Sequence, residues 1–183
     1  MVTWPNEKRF AFTIIDDTDF ATSKNIKPVY DYLYKRGLKT TKTVWCYPSR
    51  DRFKGETLTD LEYRLFIESL NKLGYEIAFH GPGSGHFNRK EIINSLNLFK
   101  DVIGHYPKMH INHASNPEGL YWGKRRFSAL LAKIYDFIKW AQGKSRVVTS
   151  GEIENSEYFW GDYAKENIKY IRNRVYSPSA YAK

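Results

Sequence analysis

Between Phe10 and His113 the chain repeatedly changes period, and that alternation limits its fold more than any other feature. Short runs rich in apolar and β-branched residues occupy Phe10–Ile15, Lys39–Tyr47, Tyr75–Phe79 and Lys108–His113. Between them lie segments of helical period. One starts at Ser23-Lys24-Asn25 with Pro28 near N1, carries Val29, Tyr32 and Leu33, and closes at Gly37. A second is capped by Thr59 or Asp60 and ends at Gly74. A third starts at Lys90, turns Ile92, Ile93, Leu96 and Phe99 inward, and closes at Gly104. Further on, a long helix over 125–142, a fifth strand over Ser145–Ser150, a short helix in YFWGDYAKEN and a strand near Tyr170–Tyr176 are expected. Strands alternating with helices of ten residues or more specify βαβ crossovers and a parallel sheet. A length of 183 residues fits a single domain over 1–183. It falls short of the roughly 250 residues of an eight-stranded barrel. A smaller or incomplete barrel, or an open doubly wound sheet, is what the pattern allows.

The first run, RFAFTIIDDTD, reads as a strand buried on both faces that runs straight into Asp16, Asp17 and Asp19. Carboxylates packed this closely repel one another unless a cation, a proton or helix N-termini offset them. The third run ends in His80 and the fourth in Asn112-His113. In parallel sheets and barrels these C-terminal strand ends share one rim, where ligands bind. Carboxylate plus imidazole suits a divalent transition ion such as zinc. Three protein ligands and an open position can activate water, and a remaining carboxylate can take its proton. The loop Gly81-Pro82-Gly83-Ser84-Gly85 can fold tightly enough to return His86 towards the same ion.

Composition narrows the classes. The net charge is 29 − 20 = +9, with the densest cluster at Lys124-Arg125-Arg126. The basic residues are scattered over predicted helices and form no nucleic-acid module, which reads as a solvated surface. Cys46 is the only cysteine and lies in TVWCY, where a small buried hydrophobe is expected. No apolar run reaches the ~20 residues of a membrane span and no secretory signal is visible, so a cytoplasmic protein is expected.

The motif IIDD, the strand-end His80 and the following turn resemble the NodB-type polysaccharide deacetylases, carbohydrate esterase family 4. The likeness runs through residues 8–123 in order and spacing. It implies a distorted, incomplete (β/α)7 barrel, with Asp16 as general base and Asp17, His80 and His86 as metal ligands. It implies a zinc-type ion and hydrolytic removal of an acetyl group from an N-acetylated carbohydrate. The family spaces its histidines His-x-x-x-His, whereas His80 and His86 have five residues between them. The family's arginine turn after the fourth strand is replaced by His110-Ile111-Asn112-His113. His113 then serves either as a ligand in place of His86 or as the acid that protonates the leaving amine. Arg89 is a candidate to bind substrate or to pair with Asp16. Asp19, Trp45, Asn112 and Trp122 complete the candidate substrate-binding set, the tryptophans by stacking on sugar faces.

Other readings fit parts of the pattern. The three acids also suit an Asx turn that caps the next helix. Asp17-Thr18-Asp19 after a first strand resembles the haloacid dehalogenase-like phosphatases, with Asp17 as nucleophile and magnesium as cofactor. The same pair resembles the Asp-x-Asp of glycosyltransferases, although only sixteen residues precede it. A non-catalytic carbohydrate-binding or scaffold member of the same fold is a further alternative.

Overall fold

The structure is a computed structural model that describes residues 5–10, 12–114, 116–122, 127–142 and 149–172. Five strands and five α-helices follow in the order β1 (Ile15–Asp16), α1 (Ser23–Lys35), β2 (Thr41–Val44), α2 (Leu61–Lys72), β3 (Glu76–Phe79), α3 (Arg89–Ile103), β4 (Met109–Ile111), α4 (Ala129–Ala141), α5 (Gly161–Asn167) and β5 (Tyr170–Arg172). The strands pair β1-β2-β3-β4-β5, every pair parallel. A doubly wound sheet reverses its strand order at a switch point. Here the order never reverses, so the sheet winds in one sense, as a barrel does, and forms a curled half-barrel.

Alternate residues of each strand face opposite sides. Val44, Cys46, Ile77 and Phe79 join Ile26 and Tyr30 of α1, Tyr63, Ile67 and Leu70 of α2, Ile92, Leu96 and Phe99 of α3, and Trp160 and Ala164 beside α5 in one core. The intervening positions, among them Thr43, Trp45, Ala78 and His80, face the other, concave side. Cys46 is fully buried on the helix side and donates to the Ser95 carbonyl at 3.2 Å. Burial pushes its thiol pKa up, so it is no nucleophile.

Several expectations change. The Phe10–Ile15 run is not buried on both faces: Phe10 is 76% exposed and Phe12 80%. Among the described strands β1 sits at the sheet edge with one neighbour, so the run lacks a second flank to pack against. Pro28 lies inside α1 rather than at N1; the N-cap is Thr22, whose side chain accepts from the Asn25 N–H. α3 begins at Arg89 behind an Asn88 cap. The short helix starts only at Gly161; the late strand is present over Tyr170–Arg172, and the remainder expected up to Tyr176 lies outside the described residues. Most of the strand expected over Ser145–Ser150, and the whole Lys124-Arg125-Arg126 cluster, lie outside the described residues.

Candidate metal centre

The rim formed by the C-terminal ends of β1, β3 and β4 gathers Asp19, His80 and His113, whose ligand atoms all lie within 4.8 Å of one another. Asp19 Oδ1 is 3.9 Å from His80 Nε2 and 3.7 Å from His113 Nε2. Asp17 Oδ1 is 3.0 Å from His80 Nε2. The acids are not helix caps, because Thr22 caps α1. Asp17 Oδ1 accepts from the adjacent Thr18 N–H at 2.8 Å. The turn after Asp19 is held by Phe20 in the left-handed region at φ 60, with its N–H donated to the Lys54 carbonyl at 2.6 Å. A non-glycine residue accepts that conformation, at a cost of about 1–2 kcal/mol, only where its surroundings impose it. The reversal carries Asp19 back over the histidines.

The hydrogen bonds on the far side of each imidazole fix its tautomer. His80 Nδ1 is 2.9 Å from the Ile111 carbonyl, which can only accept, so Nδ1 carries a proton and, in the neutral ring, Nε2 presents a lone pair. Ser84 Oγ donates to Asp51 Oδ2 at 2.6 Å and so turns a lone pair to His113 Nδ1, 3.4 Å away. His113 Nε2 is then also a lone pair. Two imidazole lone pairs converge on carboxylates at a site where His80 is 2% and His113 6% exposed. Asp19 Oδ1 and His80 Nε2 are buried without a hydrogen-bond partner. Buried acceptors facing one another are unfavourable unless a cation lies between them. Two nitrogens and a carboxylate oxygen are a donor set for a divalent transition ion, and the residues fit one.

Around this cluster the other candidates take defined places. Asp16 turns to the helix side, where its Oδ2 lies 3.0 Å from Lys42 Nζ and accepts from Tyr30 OH at 3.0 Å. Burial pushes the Lys42 amine pKa down and Asp16 opposes that shift. Asp17 is held well below the ordinary carboxylate range: burial works against its charge, but a protonated His80 ring, the Thr18 N–H and Arg172 outweigh it. His86 is exposed with its ring against Tyr158, so the loop does not bring it to the cluster. Trp45 is wholly buried and stacked on His80 at 6.1 Å, presenting no face for a sugar. Arg89 forks onto Asp162 and the Phe159 carbonyl, bracing α3 against α5. Asn112 is buried, pairs both ways with the Leu120 backbone and holds the loop after β4. Trp122 lines an open cleft of about 320 Å³ with Asp17, Asp19, His80, His113 and Arg172.

Four residues that the sequence reading passed over matter here. Lys42 anchors the β1 end, Ser84 with Asp51 orients His113, and Arg172 brings a guanidinium to the cleft from β5. Lys42 had a visible signal. It shares a strand face with Val44 and Cys46, and a lysine on a core face needs an acid beside it.

No protein-family model matches the chain, and no curated protein matches it. Among solved structures, IcaB from Ammonifex degensii is similar, with a TM-score of 0.43 and 13% identity over 92% of this chain and 68% of that one.

Proposed function

We propose that this chain is a divalent-metal hydrolase that removes an acetyl group from an N-acetylated carbohydrate, with the ion, a zinc-type one, held by Asp19, His80 and His113. The observation that carries this reading is the convergence of two imidazole lone pairs on a buried, unpartnered carboxylate oxygen. When bound, such an ion polarises an acyl oxygen and makes water acidic. Asp17, the carboxylate beside the cluster that is not one of the three ligands, would take a proton from the attacking water. It takes the role expected of Asp16, whose carboxylate is committed to Lys42 and Tyr30. His113 serves as ligand in place of His86. Arg172 donates to the substrate's polar oxygens across the cleft, and Trp122 offers its ring to the sugar. A cleft of about 320 Å³ suits one or two sugar units at the reacting position. Magnesium prefers an all-oxygen shell, so the two imidazoles weigh against the phosphatase reading.

Metal content of the purified protein and acetate release from N-acetylglucosamine oligomers test this together. One transition ion per chain is expected, lost in His113→Ala and kept in His86→Ala. Asp17→Asn should keep the ion and lose turnover. A His113→Ala protein that holds its ion as before would remove His113 from the site. Full metal loading with no acetate release from any N-acetylated sugar would leave the centre standing and refute the reaction.

A further inference from the structure

Helix α4, Ala129–Ala141, is amphipathic with its faces reversed. None of its residues is buried. At 100° per residue, its half-buried positions Ala132, Tyr135, Asp136 and Lys139 fall on one stripe. The opposite stripe carries Leu130 at 70% exposure, Ile134 at 47% and Phe137 at 64%, flanked by Leu131 at 51% and Ile138 at 48%. Trp140, 65% exposed, stands beside Lys133 at the edge of that stripe. A helix that docks on its own domain does the reverse and buries its apolar stripe. So large an exposed apolar face marks an interaction surface.

Charge identifies what covers it. Residues 124–146 hold seven Lys and Arg against one Asp, 7 − 1 = +6 of the chain's net +9 within 23 residues. Pairing this face with its copy would bring two such cationic segments together, which like-charge repulsion opposes. An anionic bilayer offers both an apolar layer for the outer stripe and negative headgroups for the cations that neighbour it in sequence. Among the described residues no helix is long and apolar enough to cross a membrane, and α4 has only 13 residues. It therefore lies in the interface plane and does not span. Aromatic residues such as Phe137 and Trp140 are the side chains that favour that depth.

We propose that α4 is a membrane-surface helix that seats its Leu130–Ile134–Phe137 face in an anionic lipid bilayer. This stands independently of the metal chemistry. The test is co-sedimentation of the full chain with phosphatidylcholine vesicles, with and without phosphatidylglycerol, at low and high salt, beside Ile134→Asp/Phe137→Asp. Both side chains are exposed, so the double variant keeps the fold, and its far-UV circular dichroism checks this. Binding is expected to vesicles containing phosphatidylglycerol, to weaken with salt, and to fall about tenfold or more in the double variant. No binding to either vesicle would overturn the proposal, as would equal binding by the double variant. Sedimentation velocity supplies the other occupant: a dimer that the double variant abolishes would assign the face to a second copy and equally overturn it.

Discussion

Glu118 is the residue whose behaviour follows most directly from where the fold puts it. It is 3% exposed, its Oε1 accepts from Asn116 Nδ2 at 2.7 Å, and its Oε2 has no hydrogen-bond partner. Burial raises its pKa from 4.5 to about 8, against smaller opposing contributions from nearby backbone N–H groups and Asn116. The folded protein therefore keeps Glu118 protonated at neutral pH, while the unfolded chain ionises it above its ordinary value. A group whose folded pKa is raised contributes stability below the unfolded pKa and loses it as pH climbs through the folded one. A difference of about 3.5 pH units is worth about 5 kcal/mol at the limit. Between pH 5 and pH 9 the loss assigned to this one group is about 4 kcal/mol. Glu118→Gln keeps the oxygen that Asn116 bonds and cannot ionise. Urea unfolding of both proteins at pH 5, 7 and 9 isolates the effect, because every other titrating group is common to the two. The variant should lose about 4 kcal/mol less than the parent across that range. Parallel profiles would show that Glu118 ionises inside the fold without penalty, and would refute its burial beside Asn116 and Trp160.

The orientation of His113 supplies a second prediction. Ser84→Ala removes the acceptor for its Nδ1 proton, and Asp51→Asn loosens Ser84; each should weaken metal affinity about 10- to 100-fold by competition with a chelator, without changing the His80 contribution. Unchanged affinity in both would mean that His113 is oriented by its packing on Phe53 and Trp45 alone. Lys42 supplies a third. It is fully buried opposite Asp16, whose side chain is 35% exposed, so Lys42→Met should cost about 2–3 kcal/mol, less than a wholly buried pair would. Added to Asp16→Asn it should cost less than it does alone, and strictly additive unfolding energies would show that the pair is not coupled.

The alternation of β-rich runs with helical segments was legible because both periods are local, and it placed β1 to β4 and α1 to α3 near their observed positions. The sequential strand order was not, since open and barrel-like sheets share the same local pattern and differ only in which strands become neighbours. The rim was legible for the same local reason: Asp17, Asp19, His80 and His113 all stand at or just beyond strand ends. Which histidine faces the acids was decided further away. Gly83 has no room for a Cβ, which would lie 2.7 Å from the Tyr47 carbonyl, and Asn116 binds both the Gly83 carbonyl and the Gly85 N–H. These contacts press the 81–85 loop against Tyr47 and leave His86 outside it, facing Tyr158. Asn116 lies 30 residues beyond His86, too far in sequence to suggest that it governs a turn beside His80.

The same distinction explains the reversed helix. The 3.6-residue period of α4 was visible in the sequence, and a long helix was expected there, but a period does not say which side faces the molecule. The half-buried stripe is that of Ala132, Tyr135, Asp136 and Lys139, while the apolar one is exposed. In α3 the period and the packing agree: Ile92, Leu96 and Phe99 are fully buried. α3 has a sheet with Phe79 and Ile77 to cover, and that cover is where its apolar area is removed from water. α4 meets no such surface among the described residues, and its apolar stripe is exposed. A helix in that position keeps Leu130, Ile134 and Phe137 together only if the surface they meet is itself apolar, and the seven cations of residues 124–146 make a negatively charged one the best match.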